Sequence, residues 1–301
     1  MSAPRYLYDH GMPFAIDLGY NLDDAYERVN IEKKASLIII DGGVGEGKTT
    51  LGVECADYIN SKRGLPPISL EKDNHPQLAL GGADFTDKLA ICHQLNLPAV
   101  IYDESGDFNR KGTLSRFNAM LARTFDTYRG FRILVILCLP NFKVLDNALF
   151  DNNIPRVLLH CFNRGENTGH FSAYSLYRML YIRHKMKSLV VQGMAYGFTD
   201  PNFRGCFLNL TKERDKALDI LSTRGKLDIL KQSSMKLAGL ISAKDMADKI
   251  GRTVIYTKKI IKAMNIKHER KTGITKYYKE NLIENIVDYI GEKEKNKRGL
   301  N

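Results

Sequence analysis

Near its N-terminus the chain has a short apolar run that is followed at once by a glycine-rich loop. The run covers Leu37 to Ile40, and the loop of residues 42–49 reads GGVGEGKT. The run has no polar alternation, which is typical of a strand buried on both faces of a parallel sheet. A strand, a glycine-rich turn and a helix in this order predict an α/β fold with a phosphate-binding loop.

The loop matches the pattern G-x-x-x-x-G-K-[ST] in full. Glycines let the backbone curl tightly, so that successive N–H groups can face phosphate oxygens, and the following helix adds its positive N-terminal end. In this pattern Lys48 contacts the β- and γ-phosphates and the Thr49 hydroxyl binds Mg²⁺. The predicted nucleotide-binding residues are Gly42, Gly43, Val44, Gly45, Glu46, Gly47, Lys48, Thr49 and Thr50.

A second apolar run, Ala99 to Tyr102, ends in the acidic pair Asp103 and Glu104. As the next clear strand after a phosphate loop, this segment is typical of a Walker B strand. We predict that Asp103 holds Mg²⁺ through water and that Glu104 orients and deprotonates the attacking water.

A third apolar run, from Phe131 to Leu139, is stopped by Pro140 and followed by Asn141. A polar side chain at this point can contact the γ-phosphate or the water, so Asn141 is predicted as a sensor of the nucleotide. The alternative is that Asn141 only forms the turn after the strand.

The segment between the acidic pair and the third run has a helical pattern over residues 114–128. Arg116 and Arg123 lie opposite its apolar stripe and are candidates for catalytic arginines supplied to a neighbouring subunit, or for contacts to a nucleic-acid backbone. Arg129 and Arg132 are alternatives. A solvated polar face would explain the same pattern.

Strands that alternate with helices predict a P-loop NTPase core with a mainly parallel sheet. Strand patterns over 156–162 and 170–175 flank a polar turn and predict a hairpin at the sheet edge. We expect four segments, namely a lead-in (1–35), the P-loop core (36–175), a helical connector (176–237) and a basic domain (238–301).

The positive charge of the chain is concentrated at its C-terminal end. Residues 211–301 contain 22 Lys and Arg against 12 Asp and Glu, whereas the first 210 residues contain 23 against 22. A basic segment beside a neutral one indicates a polyanionic partner, although a solvated basic surface is the simpler alternative.

The basic segment has the pattern of a winged helix-turn-helix. Helices are predicted from a capping box at Ser242 to Ile250 and over 254–264, followed by a hairpin over 266–278 and a closing helix. Such a unit binds DNA, or alternatively another protein. The predicted DNA contacts are Thr257, Lys258, Lys259, Lys262, Arg270 and Lys271.

The loop GGVGEGKT, the strand VIYDES and the strand end LPN, in this order, resemble the additional-strand P-loop ATPases. Within them, the chain is similar to zonular-occludens-toxin-like and FtsK/HerA-type DNA motors of viruses and mobile elements. The resemblance covers about residues 35–175. It implies ATP as the nucleotide, Lys48, Thr49, Asp103, Glu104 and Asn141 as site residues, and a ring-shaped homo-oligomer that threads DNA.

These features leave three functions open. The first is an ATP-driven DNA translocase for packaging or transfer; the second is a nucleotide-switched replication initiator or helicase loader; the third, disfavoured by the basic end, is a small-molecule kinase. The longest strongly apolar run, Ile133 to Leu139, is far short of a membrane span, unlike in toxin-like phage assembly proteins. Five scattered cysteines without C-x-x-C spacing favour reduced core thiols and a cytoplasmic location, or the host cytoplasm for a viral protein.

Overall fold

The computed structural model describes residues 12–71, 73–103, 118–119, 121, 125, 132–164, 167–188, 196–223, 239–272 and 275–297. The chain divides into two compact units, Met1–Lys226 and Leu227–Asn301.

The first unit is built from a sheet with helices on both faces. Its strands are β1 (Leu37–Asp41), β2 (Leu78–Leu80), β3 (Ala99–Asp103), β4 (Leu134–Leu139), β5 (Pro155–Arg164), β6 (Asn167–Ser175) and β7 (Phe203–Cys206). Its helices are α1 (Ile16–Asn30), α2 (Lys48–Lys62), α3 (Gly82–Gln94), α4 (Asn147–Asp151), α5 (Leu176–Ser188) and α6 (212–223).

The sheet is mainly parallel, as predicted, and has the order β2-β3-β4-β1-β5-β6-β7. The first five strands in this order pair in parallel, and β6 and β7 continue the sheet with antiparallel pairing. β4 is inserted between β1 and β3, and it pairs with both. The carboxyl ends of β1, β3 and β4 therefore meet at one edge of the sheet.

The apolar run of β1 is explained by burial on both sides. Ile38 and Ile40 pack in one cluster with Leu18 of α1 and Leu51 of α2, and all four are fully buried. Leu37 and Ile39 point to the opposite face, where residues of α3 and α5 cover the sheet. Because successive strand residues point to opposite faces, a strand covered on both sides is apolar over nearly its whole length.

The sheet is wider than the sequence predicts. The hairpin β5–β6 forms as expected but does not end the sheet, because β7 pairs with β6 and lies outside it. The expectation of an edge hairpin is wrong in this respect. β2 has three residues and β7 has four, of which only β2 contains mainly buried side chains, and runs this short carry little periodicity.

The second unit combines helices with a small antiparallel sheet. Its elements are β8 (Leu240–Ser242), α7 (Ala243–Ile250), α8 (Val254–Ala263), β9 (Arg270–Thr272), β10 (Thr275–Lys279) and α9 (Leu282–Lys297). The sheet order is β8-β10-β9. The helices and the hairpin follow the predicted order, and the three-residue strand β8 is an addition to it.

Local signals in the sequence explain the boundaries of the helices α7 and α8. The Ser242 hydroxyl accepts a hydrogen bond from the Asp245 N–H at 3.2 Å and caps α7. Gly251 ends α7 with a left-handed φ of 65°. The Thr253 hydroxyl caps α8 by accepting from the Tyr256 N–H at 3.3 Å.

Candidate functional site

The glycine-rich loop leaves the end of β1 and turns into α2. Gly47 has a φ of 77°, and a Cβ at this position would lie 2.9 Å from the Phe207 ring. Gly42 has a φ of 146°, and its Cβ would lie 2.6 Å from the Cys161 carbonyl oxygen. At both positions a side chain would be strained and would also collide with a neighbour. The tight curl that a phosphate cradle needs therefore depends on glycine at these two points.

Lys48 reaches back over this loop. Its Nζ donates to the carbonyl oxygen of Gly42 at 3.0 Å and to that of Gly43 at 2.5 Å. An ammonium group has three N–H donors, so these two bonds fix its position and leave a further donor for a phosphate oxygen. The lysine is thus held at the loop before a nucleotide arrives.

Thr49 and Asp103 meet across the sheet edge. Thr49 lies in the first turn of α2 and Asp103 ends β3. The Thr49 hydroxyl donates a hydrogen bond of 3.1 Å to Asp103 Oδ2. Only 9% of Asp103 is exposed. Hydroxyl and carboxylate oxygens are ligands that Mg²⁺ prefers, and this ion usually takes only one or two carboxylates, with phosphate and water oxygens as its other ligands. These residues therefore fit a magnesium ion bound together with phosphates.

Glu46 and Val44, two further residues of the loop, differ in their contacts and exposure. The Glu46 carboxylate accepts a hydrogen bond from the Gly43 N–H, so this side chain braces the loop from within. Val44 is 95% exposed and makes the tip of the loop. Any contact of these two residues with phosphate would come from their main-chain N–H groups. Thr50, in the first turn of α2, is partly exposed.

Asn141 lies two residues beyond the end of β4, at the same sheet edge as the loop. Its Oδ1 accepts a hydrogen bond from the Lys143 N–H at 2.9 Å and caps a 3₁₀ turn over Phe142–Val144. This contact is the one expected if Asn141 only forms the turn after the strand. A sensor role for Asn141 stays a prediction.

Asp41 is a site residue that the sequence reasoning did not identify. It ends β1, directly before the loop, and only 1% of it is exposed. Its carboxylate accepts hydrogen bonds from His160 Nδ1 at 2.9 Å, from the Phe142 N–H at 3.1 Å and from the Tyr196 hydroxyl. The signal in the sequence was a charged residue ending an otherwise apolar run.

Several predicted residues lie outside the part of the chain that the structure describes. They are Glu104, Arg116, Arg123 and Arg129. Arg132, the remaining alternative arginine, is exposed just before β4.

The second unit contains a cationic groove with a volume of about 800 Å³, which we call the lysine groove. Lys258 and Lys262 project into it from α8, one helical turn apart, and their contact with DNA stays a prediction. Three further basic residues line it that the sequence reasoning did not select, namely Lys244, His268 and Lys276. Val254 and Ile261 contribute apolar lining.

The other predicted DNA contacts fall elsewhere. Lys259 is exposed on α8, and Lys271 is exposed on β9 next to Arg270. Thr257 is fully buried, and its hydroxyl donates to the Thr253 carbonyl oxygen at 3.1 Å. Its place among the predicted DNA contacts is therefore corrected, because a residue inside the core does not present its side chain to a partner.

A mainly parallel sheet, a glycine-rich cradle between β1 and α2, and an acidic strand separated from β1 by one strand define the first unit as a P-loop NTPase-type fold. No protein-family model matches the chain, and no curated protein matches it. No helix among the described residues is long and apolar enough to cross a membrane.

The chain has remote similarity to solved structures. One is a DNA replication initiation factor, with 14% identity, a TM-score of 0.30, and coverage of 93% of this chain and 88% of that one. Another is the replication initiator DnaA bound to AMPPCP and single-stranded DNA, with 14% identity, a TM-score of 0.30, and coverage of 85% and 72%. A third is domain III of the Thermotoga maritima replication initiation protein DnaA, with 13% identity, a TM-score of 0.31, and coverage of 73% and 84%. Similarities this remote do not bear on function.

Proposed function

We propose that this protein binds and hydrolyses ATP in its first unit and acts on DNA through its second. The observation that carries the proposal is the contact between Thr49 and Asp103 at 3.1 Å, beside a lysine already fixed over the loop. Three side chains from two motifs converge where phosphates and a magnesium ion would be held, although Thr49 and Asp103 are 54 residues apart in the sequence.

The residues divide the chemistry among them. Main-chain N–H groups of the loop and the Lys48 ammonium bind the terminal phosphates, and they stabilise the charge that develops on them during transfer. Thr49 and, through water, Asp103 would hold a magnesium ion, which would supply Lewis-acid stabilisation of the phosphate oxygens. Glu104, which follows Asp103 directly, is proposed to take the proton from the attacking water, and Asn141 is proposed to orient that water.

The case for DNA rests on the lysine groove and on the charge of the second unit. The β8-β10-β9 sheet, the two capped helices and the hairpin fit a winged helix-turn-helix, so we propose this classification for residues 238–301. In such a unit the second helix, here α8, carries the nucleic-acid contacts. Lysines act as point charges, so they suit phosphate contacts better than the bidentate reading of bases.

We propose a translocase as the specific activity, in line with the resemblance to DNA motors, and a ring-shaped homo-oligomer as its assembly. Arg116 or Arg123 would complete a neighbouring subunit's site. The alternative, a nucleotide-switched initiator or helicase loader, uses the same two units, with ATP controlling assembly at one DNA site.

The two activities give different results in one experiment. ATPase rates with and without DNA of random sequence are measured alongside the mass in solution with ATP. For a translocase we expect DNA of any sequence to raise the rate and ATP to drive assembly into a ring. Slow turnover with a footprint confined to one site would support the switch instead. A monomer with ATP, and a rate unaffected by DNA, would contradict the translocase.

A substitution of Glu104 separates ATP binding from ATP hydrolysis. We expect Glu104→Gln to bind ATP normally and to lower kcat about 100-fold, since a positioned general base contributes at least about this factor. Binding is measured by equilibrium titration and turnover by phosphate release.

Glu71→Gln is the matched control, because Glu71 is an exposed glutamate of the same unit. It should retain full turnover. A Glu104→Gln variant that hydrolyses ATP at the wild-type rate would exclude Glu104 as the base, and the loss of ATP binding in this variant would place Glu104 in the binding machinery.

A further inference from the structure

The carboxylate of Asp41 connects the phosphate loop to the turn that carries Asn141. Asp41 directly precedes Gly42, the first glycine of the loop. Its Oδ2 accepts from the main-chain N–H of Phe142 at 3.1 Å, and Phe142 directly follows Asn141. The Asp41 carboxylate therefore belongs to the residue directly before the loop, and it binds the residue directly after Asn141, the predicted sensor.

Two side chains hold this carboxylate in place. The His160 Nδ1 donates to Asp41 Oδ1 at 2.9 Å, and the Tyr196 hydroxyl donates to Oδ2. The His160 and Tyr196 rings stack on each other, with centroids 3.7 Å apart and planes 11° from parallel. Burial and the Asp41 carboxylate raise the pKa of Tyr196 well above its usual value, so the phenol stays protonated and remains a donor.

A buried carboxylate with three donors needs an explanation beyond stability. Burying a charge costs free energy even when it is paired, and well-packed apolar residues often stabilise a core as well or better. Asp41, by contrast, fixes geometry. Its three partners come from three segments that are otherwise separate in the chain, namely β5, the turn after β4 and the 3₁₀ turn over 196–198.

We propose that Asp41, held by His160 and Tyr196, is a positioning residue that sets the place of Asn141 relative to the phosphate loop. The inference rests on the proposed ATP hydrolysis and adds to it a part of the machinery that does not touch the nucleotide. Ground-state binding depends on the loop amides and Lys48, and it should survive small shifts of the turn. Turnover depends on the placement of the water, and a misplacement of about 1 Å can cost up to about 100-fold.

Two variants of the supporting side chains test the proposal and leave the buried Asp41 carboxylate itself in place. Tyr196→Phe removes one donor and keeps the ring, and His160→Leu removes the other. We expect each to lower kcat about tenfold while KM for ATP and the affinity for a fluorescent ADP change less than about twofold. His160→Asn keeps a donor near the Nδ1 position and should recover most of kcat.

A merely structural role would give a different pattern. It would lower the midpoint of thermal unfolding and leave kcat of the folded fraction within about twofold of wild type, and that result would overturn the proposal. A parallel loss of kcat and ADP affinity would also overturn it, because the cluster would then shape the loop itself.

Hydrogen exchange of the nucleotide-free protein separates this inference from the proposed function. We expect the peptide covering residues 141–145 to exchange faster in Tyr196→Phe and His160→Leu than in wild type. Unchanged exchange in this peptide would refute the positioning role even if ATP is hydrolysed. A wild-type protein without ATPase activity would instead refute the proposed function, whatever the exchange shows.

Discussion

Lys48→Met is expected to lower kcat/KM for ATP about 1,000-fold. Removing one preorganised donor from a site that stabilises developing charge costs up to about this factor. Lys48 is such a donor, because its two bonds to loop carbonyls fix the ammonium before the nucleotide arrives. Methionine is unbranched and favours helices, so α2 should start normally. Phosphate release gives the rate, and titration with a fluorescent ADP gives the affinity.

The control for this substitution is Lys62→Met on the same helix. Lys62 lies in the last turn of α2 and pairs with Asp23 at 3.0 Å, away from the loop. It should retain wild-type turnover, with a loss of stability under about 1 kcal/mol because its ion pair is partly exposed. Wild-type affinity and turnover in Lys48→Met would refute the assignment of the phosphate site, and with it the proposed function.

The core of the first unit could be predicted because its signals are local. A strand buried on both faces is apolar over nearly its whole length; β4 is apolar throughout, and β1 and β3 are apolar up to the aspartate that ends each of them. The loop needs glycine where φ is positive, and Gly42 and Gly47 supply it. Each of these requirements is met within a few residues of sequence, so the pattern alone was sufficient.

The environment of Asp41 could not be predicted, because it depends on contacts between distant segments. His160 is 119 residues away and reaches Asp41 because β5 pairs with β1 in parallel, opposite β4. Tyr196 is 155 residues away and lies beyond β6, in the segment that the sequence predicts only as a helical connector. Strand register and long-range packing are not encoded in any short window, so a charged residue ending an apolar run was only a hint.

The second unit shows the same division between local and long-range information. The capping box at Ser242 correctly predicted where α7 begins, and α8 begins at Val254 as expected, with a cap at Thr253 that the sequence analysis did not select. Helical spacing did not separate Thr257 from Lys258, although the first is in the core and the second lines the groove. A threonine has an apolar methyl and a hydroxyl that can bond to the preceding turn, so it is as compatible with a core as with a surface.

The second large effect is expected from charge removal in the lysine groove. We predict that Lys258→Gln, Lys262→Gln and Lys276→Gln together weaken DNA binding about 500-fold at about 0.1 M salt. Each lysine that neutralises a phosphate contributes a slope of about 0.9 to the dependence of log affinity on log salt, so three contribute about 2.7. Fluorescence anisotropy over a salt series measures both the affinity and the slope.

A control variant with the same change in charge removes three lysines that already pair with glutamates. Lys34 pairs with Glu32, Lys249 with Glu280 and Lys279 with Glu269. Their replacement by glutamine should reduce the affinity by less than about tenfold and leave the slope nearly unchanged, since paired lysines release few counterions. Equal losses in the two variants would show that net charge alone attracts DNA, and the groove would lose its assigned role.

The loss of DNA affinity in the groove variant, compared between DNA sequences, distinguishes the translocase from the initiator. Lysine contacts to phosphates carry no base information, so the loss should be the same for every DNA sequence. A translocase needs such uniform binding, because it has to hold each new stretch of DNA as it moves. An initiator needs at least one site at which base contacts survive the loss of the lysines. A residual preference for one sequence in the groove variant would therefore favour the switch, and a uniform loss would favour the motor.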